Sequence, residues 1–321
     1  MTAATDPCCS RRQMLAMGVA GAGALWASGL FAQSPAALIT KVIPSSGQRL
    51  PVIGIGTNVF RESELAQLRA VLRRMVDLGG SVIDTAASYG QSEHVIGQIV
   101  AQLGIRRQVF LATKLVGGAR RRFGERLFGA DSFHRSLQRL RTDYVDLLQV
   151  HDLDGVDELW PQLMQWKQAG KIRYIGMTTS YPPQHARMAE LMRQYPVDFI
   201  EVDYSIGDRD AARTLLPLAQ ARRMAVIVDV PLGGRGGSNL AAVRGKPLPP
   251  FAAEMGVQDW AQLMLKYVAS HPAVTCAIPG ATKVSHVEDD QHAGHGRLPG
   301  AAMRKRLEQY WDRLVGGSGP A

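Results

Sequence analysis

The chain has 321 residues, 46% of them apolar, which is ample for a large core, although its length fits either one large domain or two average ones. Its formal charge of +9 comes from basic residues spread along the chain; only Arg120 to Arg126 gathers them, and no nucleic-acid-binding module surrounds that run, so nucleic acid is not an expected partner. The only cysteines are Cys8, Cys9 and Cys276, and with the first two in a leader the mature protein keeps one thiol and no internal disulfide.

The leader comes first. Ser10 to Leu15 reads SRRQML, an arginine pair placed directly ahead of the Gly- and Ala-rich apolar run from Met14 to Ala32. A charged segment, an apolar segment and small residues near Ala32 to Ala37 predict a bacterial export signal over residues 1–37, cleaved between Ala27 and Ala37. The paired arginines point to the twin-arginine machinery as a partner and to a periplasmic or otherwise exported location. A retained membrane anchor is the alternative; after cleavage no stable membrane insertion is expected.

From Leu38 to Asn58 two apolar runs flank a Ser-Ser-Gly turn, which predicts a β-hairpin leading into a strand at Ile53 to Gly56. Glu62 to Leu78 places Leu65, Leu68, Leu72, Met75 and Val76 at helical spacing ahead of Gly79-Gly80. Further strands are predicted at Ser81 to Ala86, Val109 to Lys114, Val145 to His151, Ile172 to Thr179, Phe199 to Tyr204, Ala225 to Pro231 and Thr275 to Pro279. Helices are predicted at Ser92 to Leu103, Ser132 to Arg141, Val156 to Gln168, Gln184 to Arg193, Asp210 to Arg222 and Val257 to Ser270. The strands are continuous apolar runs, as expected of a parallel sheet buried on both faces. Eight of them, alternating with helices or room for one, predict an α/β fold: a (β/α)8 TIM barrel with an N-terminal β-hairpin, over residues 38–315. No G-x-G-x-x-G follows an early strand, which argues against a Rossmann domain, and residues 316–321 read as a disordered tail.

In that frame Asp84, Lys114 and His151 fall at the C-terminal ends of consecutive strands, where barrel active sites are built, and Tyr89 follows in the first of those loops. Each residue alone also has a structural reading: an ion pair for Asp84 and Lys114, aromatic packing for Tyr89, a hydrogen-bonded strand end for His151.

The stretches IDTAASYGQSEHVIG, ATK and LQVHD, followed in order by IGMTTS and IPGATK, resemble the aldo-keto reductases over nearly the whole mature chain. The resemblance implies a reductase that converts an aldehyde or ketone, a small-molecule carbonyl substrate, to an alcohol by hydride transfer from NADPH. Asp84, Tyr89, Lys114 and His151 match the family's catalytic tetrad. In that chemistry the alkoxide left by hydride delivery must be protonated, with Tyr89 as general acid. Lys114 is expected to lower the phenol pKa, Asp84 to hold Lys114 charged, and His151 to orient the carbonyl.

By the same resemblance the cofactor is contacted by Thr57, Thr178, Thr179, Glu201, Asp229, Pro231, Leu232, Thr282, Lys283, His286 and Asp290, with no metal site. Thr178 and Thr179 stand where the family has a Ser-Asn pair, Glu201 where it has a glutamine, and Asp229 where many members stack a tyrosine on the nicotinamide. Thr282 and Lys283 are placed for the adenosine 2′-phosphate, which favours NADPH. His286 and Asp290 stand where arginine and asparagine are commoner. The basic loop with Arg120, Arg121 and Arg122 could equally select an anionic substrate or be a soluble face. Two other readings remain: a Schiff-base aldolase using Lys114, and a non-catalytic nucleotide-binding barrel.

Overall fold

The apolar runs read as strands form an eight-stranded parallel sheet in the computed structural model, which describes residues 37–115, 128–234 and 237–316. An antiparallel hairpin of β1 (Thr40–Val42) and β2 (Arg49–Pro51) precedes it. The sheet takes β3 (Ile55–Gly56), β4 (Val82–Asp84), β5 (Phe110–Leu115), β6 (Val145–Val150), β7 (Ile172–Thr179), β8 (Phe199–Asp203), β9 (Ala225–Asp229) and β10 (Cys276–Ala277) side by side in chain order. Its two edges meet. The Gly54 and Gly56 N–H groups donate to the carbonyls of Ala277 and Pro279, and the Ala277 N–H to that of Val52, each at 2.9 Å. The expected (β/α)8 barrel is thereby closed, and among the described residues its eight-stranded sheet has no open edge.

Around the barrel lie α1 (Leu65–Asp77), α2 (Ser92–Leu103), α3 (Gly129–Leu140), α4 (Val156–Gln168), α5 (His185–Gln194), α6 (Leu215–Ala221), α7 (Asn239–Ala242), α8 (Trp260–Ala269), α9 (Val284–Ala293) and α10 (Ala301–Gly316). Helix α1 shows the rule that shapes them: Leu68, Val71, Leu72 and Met75 share one face and are buried, while the polar face is wet. Where α2 meets α3 the approach is closer still. A Cβ on Gly97 would stand 2.2 Å from the Arg139 carbonyl oxygen, so only glycine lets the two helices touch there.

One predicted helix is divided. Over Asp210 to Arg222 the chain makes a 3-10 turn at Asp210–Arg213 and then starts α6 afresh. Pro217 explains the restart, because in one continuous helix it would lie in the interior and leave the Arg213 carbonyl without its donor; in α6 it sits in the first turn, where no donor is needed.

The core has two compartments. The larger lies between strands and helices; the smaller fills the barrel, where Val82, Phe110, Leu147, Tyr174, Phe199 and Ala225 pack with Ile43 and Leu50 of the hairpin. The hairpin thus plugs the N-terminal end, and Tyr174 ties it down by donating to Ser46 Oγ at 2.7 Å. Among the described residues no helix is long and apolar enough to cross a membrane. The export signal expected over residues 1–37, Ala37 excepted, the loop with Arg120, Arg121 and Arg122, and the tail beyond Gly316 lie outside the described residues.

Candidate active site

Alternate residues of a strand point to the same side, so each barrel strand sends every second side chain inward. Starting from the plugged end, the inward series are Val82 and Asp84 on β4, then Phe110, Ala112 and Lys114 on β5. Leu147 and Gln149 follow on β6, Phe199, Glu201 and Asp203 on β8, and Ala225, Ile227 and Asp229 on β9. Strand register sets Lys114 beside Gln149, Thr178 beside Glu201 and Asp203 beside Asp229. Every series changes from apolar to polar toward the C-terminal end, which gathers the polar residues into a ring.

Lys114 is the centre of that ring and is 1% exposed. Its ammonium touches Asp84 Oδ1, lies 3.1 Å from the Thr85 carbonyl oxygen and 3.2 Å from Glu201 Oε1, and is 5.3 Å from the centre of the Tyr89 ring. Burial works to lower the Lys114 pKa, but Asp84, Glu201 and Tyr89 outweigh it and hold the amine well above its ordinary value. Burial and the Glu201 charge push the Asp84 carboxyl well up, against the pull of Lys114. Asp84 is placed from behind: Thr57, fully buried, donates to its carbonyl at 2.7 Å, and Ser92 donates to Thr57.

The His151 ring meets the Tyr89 ring edge-on with centroids 5.8 Å apart, and its Nδ1 is 3.2 Å from Ser88 Oγ. Burial, reinforced by Lys114, lowers the His151 pKa to about 3, so the imidazole is neutral at any working pH. Tyr89 departs from expectation. Lys114 does act to lower the phenol pKa, yet burial, with Asp84, Glu201 and Asp229, moves it upward overall. The phenol is therefore a proton donor that stays loaded, not one close to ionising.

A cavity of about 330 Å³ opens over this ring. Thr57, Asp84, Tyr89, Glu201, Asp229, Pro231 and Leu232, all expected at the site, line it. Lys114 lies beneath it, and His151 beside Tyr89. Burial, Glu201 and Asp203 raise the Asp229 carboxyl well above its usual range, and its Oδ1 is buried without a hydrogen-bond partner among the described residues. A second cavity of about 450 Å³ shares Ser180, Val230 and Gly233 with the first.

The other expected contacts are not in the cavity wall. Thr178 is buried at its register position beside Glu201. The Thr179 hydroxyl is occupied within its own loop, donating to Gln184 Oε1 at 2.5 Å and accepting from the Tyr181 N–H at 3.1 Å. Thr282 and the exposed Lys283 lie just past Gly280, the last lining residue, with Lys283 immediately before α9; His286 is exposed and Asp290 buried on that helix. Two participants had no role assigned from sequence. Gln149 donates to Glu201 Oε2 at 2.5 Å, and Ser88 meets His151. Gln149 was detectable, since it stands two positions before His151 in LQVHD and so shares its face.

A buried cation, a protonated phenol, a neutral imidazole and an adjoining cavity can together protonate an oxygen that gains negative charge. Comparison with known proteins gives the chain's relatives. The model of the aldo/keto reductase family matches residues 52–305. The methylglyoxal reductase YeaE of Escherichia coli K12 is 31% identical over 265 residues, covering 78% of this chain and 88% of that one. Two solved Klebsiella pneumoniae structures are also similar. An aldo-keto reductase in complex with NADPH is 26% identical with a TM-score of 0.70, covering 85% and 96% of the two chains. An aldo/keto reductase in complex with NADP and acetate is 27% identical with a TM-score of 0.68, covering 83% and 93%.

Proposed function

The chain belongs to the aldo/keto reductase family, and from that membership we propose that it reduces an aldehyde or ketone to an alcohol with NADPH, using Tyr89 as the general acid. The observation that carries the reading is the cluster of Tyr89, Lys114, Asp84 and His151 beside one cavity.

The cavity suits the nicotinamide end of a dinucleotide. It lies at the ends of β3, β9 and β10 and offers Asp229 Oδ1, a polar atom without a hydrogen-bond partner among the described residues. Asp229, Pro231 and Leu232 would hold that end, while Thr282 and Lys283 at the start of α9 would hold the 2′-phosphate. Bound NADPH supplies the hydride for the carbonyl carbon. As the C=O π pair moves onto oxygen, the Tyr89 phenol gives that oxygen its proton. His151, neutral, donates a hydrogen bond to the carbonyl and fixes its direction. Lys114 takes up the negative charge left on the phenolate, and Asp84 keeps Lys114 in place.

The geometry weighs against a Schiff-base aldolase. That chemistry needs a neutral amine, and Lys114 is held as a cation between two carboxylates. The test is aldehyde-dependent consumption of NADPH with alcohol formed in equal amount. A borohydride-trapped adduct on Lys114, or failure to bind NADPH, would overturn the proposal.

We propose also that the protein is exported by the twin-arginine route and cleaved between Ala27 and Ala37. The support is Arg11-Arg12 ahead of the apolar run from Met14 to Ala32. Replacing both arginines by lysine should leave the protein in the cytoplasmic fraction; unchanged export would refute the route.

A further inference from the structure

Glu201 has no task of its own in the proton donation described above. Its two oxygens are nevertheless both engaged: Oε1 stands 3.2 Å from the Lys114 ammonium, and Oε2 accepts from Gln149 Nε2 at 2.5 Å. The second contact depends on an absent side chain. Gly176 is the register partner of Gln149, and a Cβ there would stand 2.9 Å from Gln149 Cγ and 3.0 Å from Oε1. Glycine at that place lets the glutamine reach across β7 and fix the carboxylate.

The ammonium of Lys114 has three protons to give. Asp84 Oδ1, the Thr85 carbonyl and Glu201 Oε1 are three acceptors around it. We infer that Glu201 is a positioning residue for the proton donor: a second counter-ion that shares the Lys114 ammonium with Asp84 and so withholds it from Tyr89. This inference rests on the reading of Tyr89 as the general acid.

The consequence is a pH dependence. The groups facing the phenol are Lys114 from β5, Asp84 from β4, Glu201 from β8, Asp229 from β9 and the neutral His151 after β6; beyond them Asp203 pairs with His185 at 2.9 Å. Of the carboxylates, Glu201 is the one whose charge can be removed by a near-isosteric change that keeps a partner for Gln149, since the new amide oxygen still accepts. In Glu201→Gln the ammonium is left with one counter-ion and a proton to offer the phenol oxygen, which makes the phenol the stronger acid.

The experiment is the pH profile of kcat/KM for carbonyl reduction in the unaltered protein, Glu201→Gln and Glu201→Asp. In Glu201→Gln the basic limb should move down by about one pH unit, or appear where the unaltered protein shows none. Glu201→Asp, which keeps the charge, should restore the original profile. Glu201→Met removes the carboxylate with a chain of similar length and should give the same shift if the glutamine variant folds poorly. A readout free of turnover is the phenolate absorbance titration, taken as the difference from Tyr89→Phe in each background; it should shift in the same direction. Superimposable profiles for Glu201→Gln and the unaltered protein, with Tyr89→Phe inactive, overturn the role of Glu201 alone. Undiminished turnover in Tyr89→Phe overturns the general-acid reading instead.

Discussion

The two ends of the barrel are built from the same strands and spend their interiors in opposite ways. At the plugged end Phe110, Tyr174 and Phe199 sit with ring centroids 5.4 to 5.9 Å apart beneath Ile43 and Leu50. Burial there stabilises the fold, by about 1.5–3 kcal/mol for each large side chain. Two or four residues further along the same strands, the inward positions are Asp84, Lys114, Gln149, Glu201 and Asp229. Burying those groups costs stability, and their mutual contacts recover only part of it. The apolar end therefore supports the polar end, which can be arranged for chemistry because it does not have to hold the barrel together.

Lys114→Met should break this division most severely. It leaves Asp84 and Glu201 buried without their cation, so carbonyl reduction is lost and stability falls by about 3–5 kcal/mol at neutral pH. Denaturant unfolding checks the cause. The Asp84 carboxyl, already raised and now without the opposing pull of Lys114, contributes stability only while protonated, so the deficit should shrink in acid and grow as pH rises. Phe199→Ala tests the other end. It should cost about 3–4 kcal/mol in the same assay while leaving the pH profile of the reaction unchanged under conditions where the protein is folded. A changed profile would show that the two ends are not separable.

The smallest effect is expected outside both ends, on α9. Burial, with Asp289 and Asp259 nearby, raises the Asp290 pKa to about 8. The folded state then holds a proton that the unfolded state releases near pH 4, so the stability linked to Asp290 is present in acid and lost as pH rises toward 8. Asp290→Asn should flatten that slope and gain about 1–2 kcal/mol near pH 8. Parallel stability curves for the two proteins would count against the buried, protonated carboxyl.

The barrel was legible because parallel strands buried on both faces leave continuous apolar runs, and the hairpin because its two runs flank Ser45, Ser46 and Gly47. That Asp84, Lys114 and His151 come together was legible because they stand at or just after the ends of consecutive strands, with Tyr89 in the first of the loops that follow. Helix α9 was less so: it buries Asp290 and Gln291 beside Val287 and Ala293, which blurs any apolar stripe. Helix α10 fully buries only Leu307 and Trp311. The sharing of Lys114 by Glu201 was not legible at all, since β5 and β8 come together only through register summed across β6 and β7. The same holds for the upward shift of the Tyr89 phenol. Its sign depends on how burial and three carboxylates weigh against one ammonium, and that balance exists only in the assembled ring.

The most direct test of the account compares Tyr89→Phe with the unaltered protein in a single turnover of NADPH against a small aldehyde, with NADPH affinity measured on the same samples. Loss of the phenol proton should slow the reaction by about 10²–10⁴-fold and leave NADPH affinity unchanged. A rate within a few-fold of the unaltered protein would contradict Tyr89 as the proton donor, and with it the proposed role of the ring around Lys114.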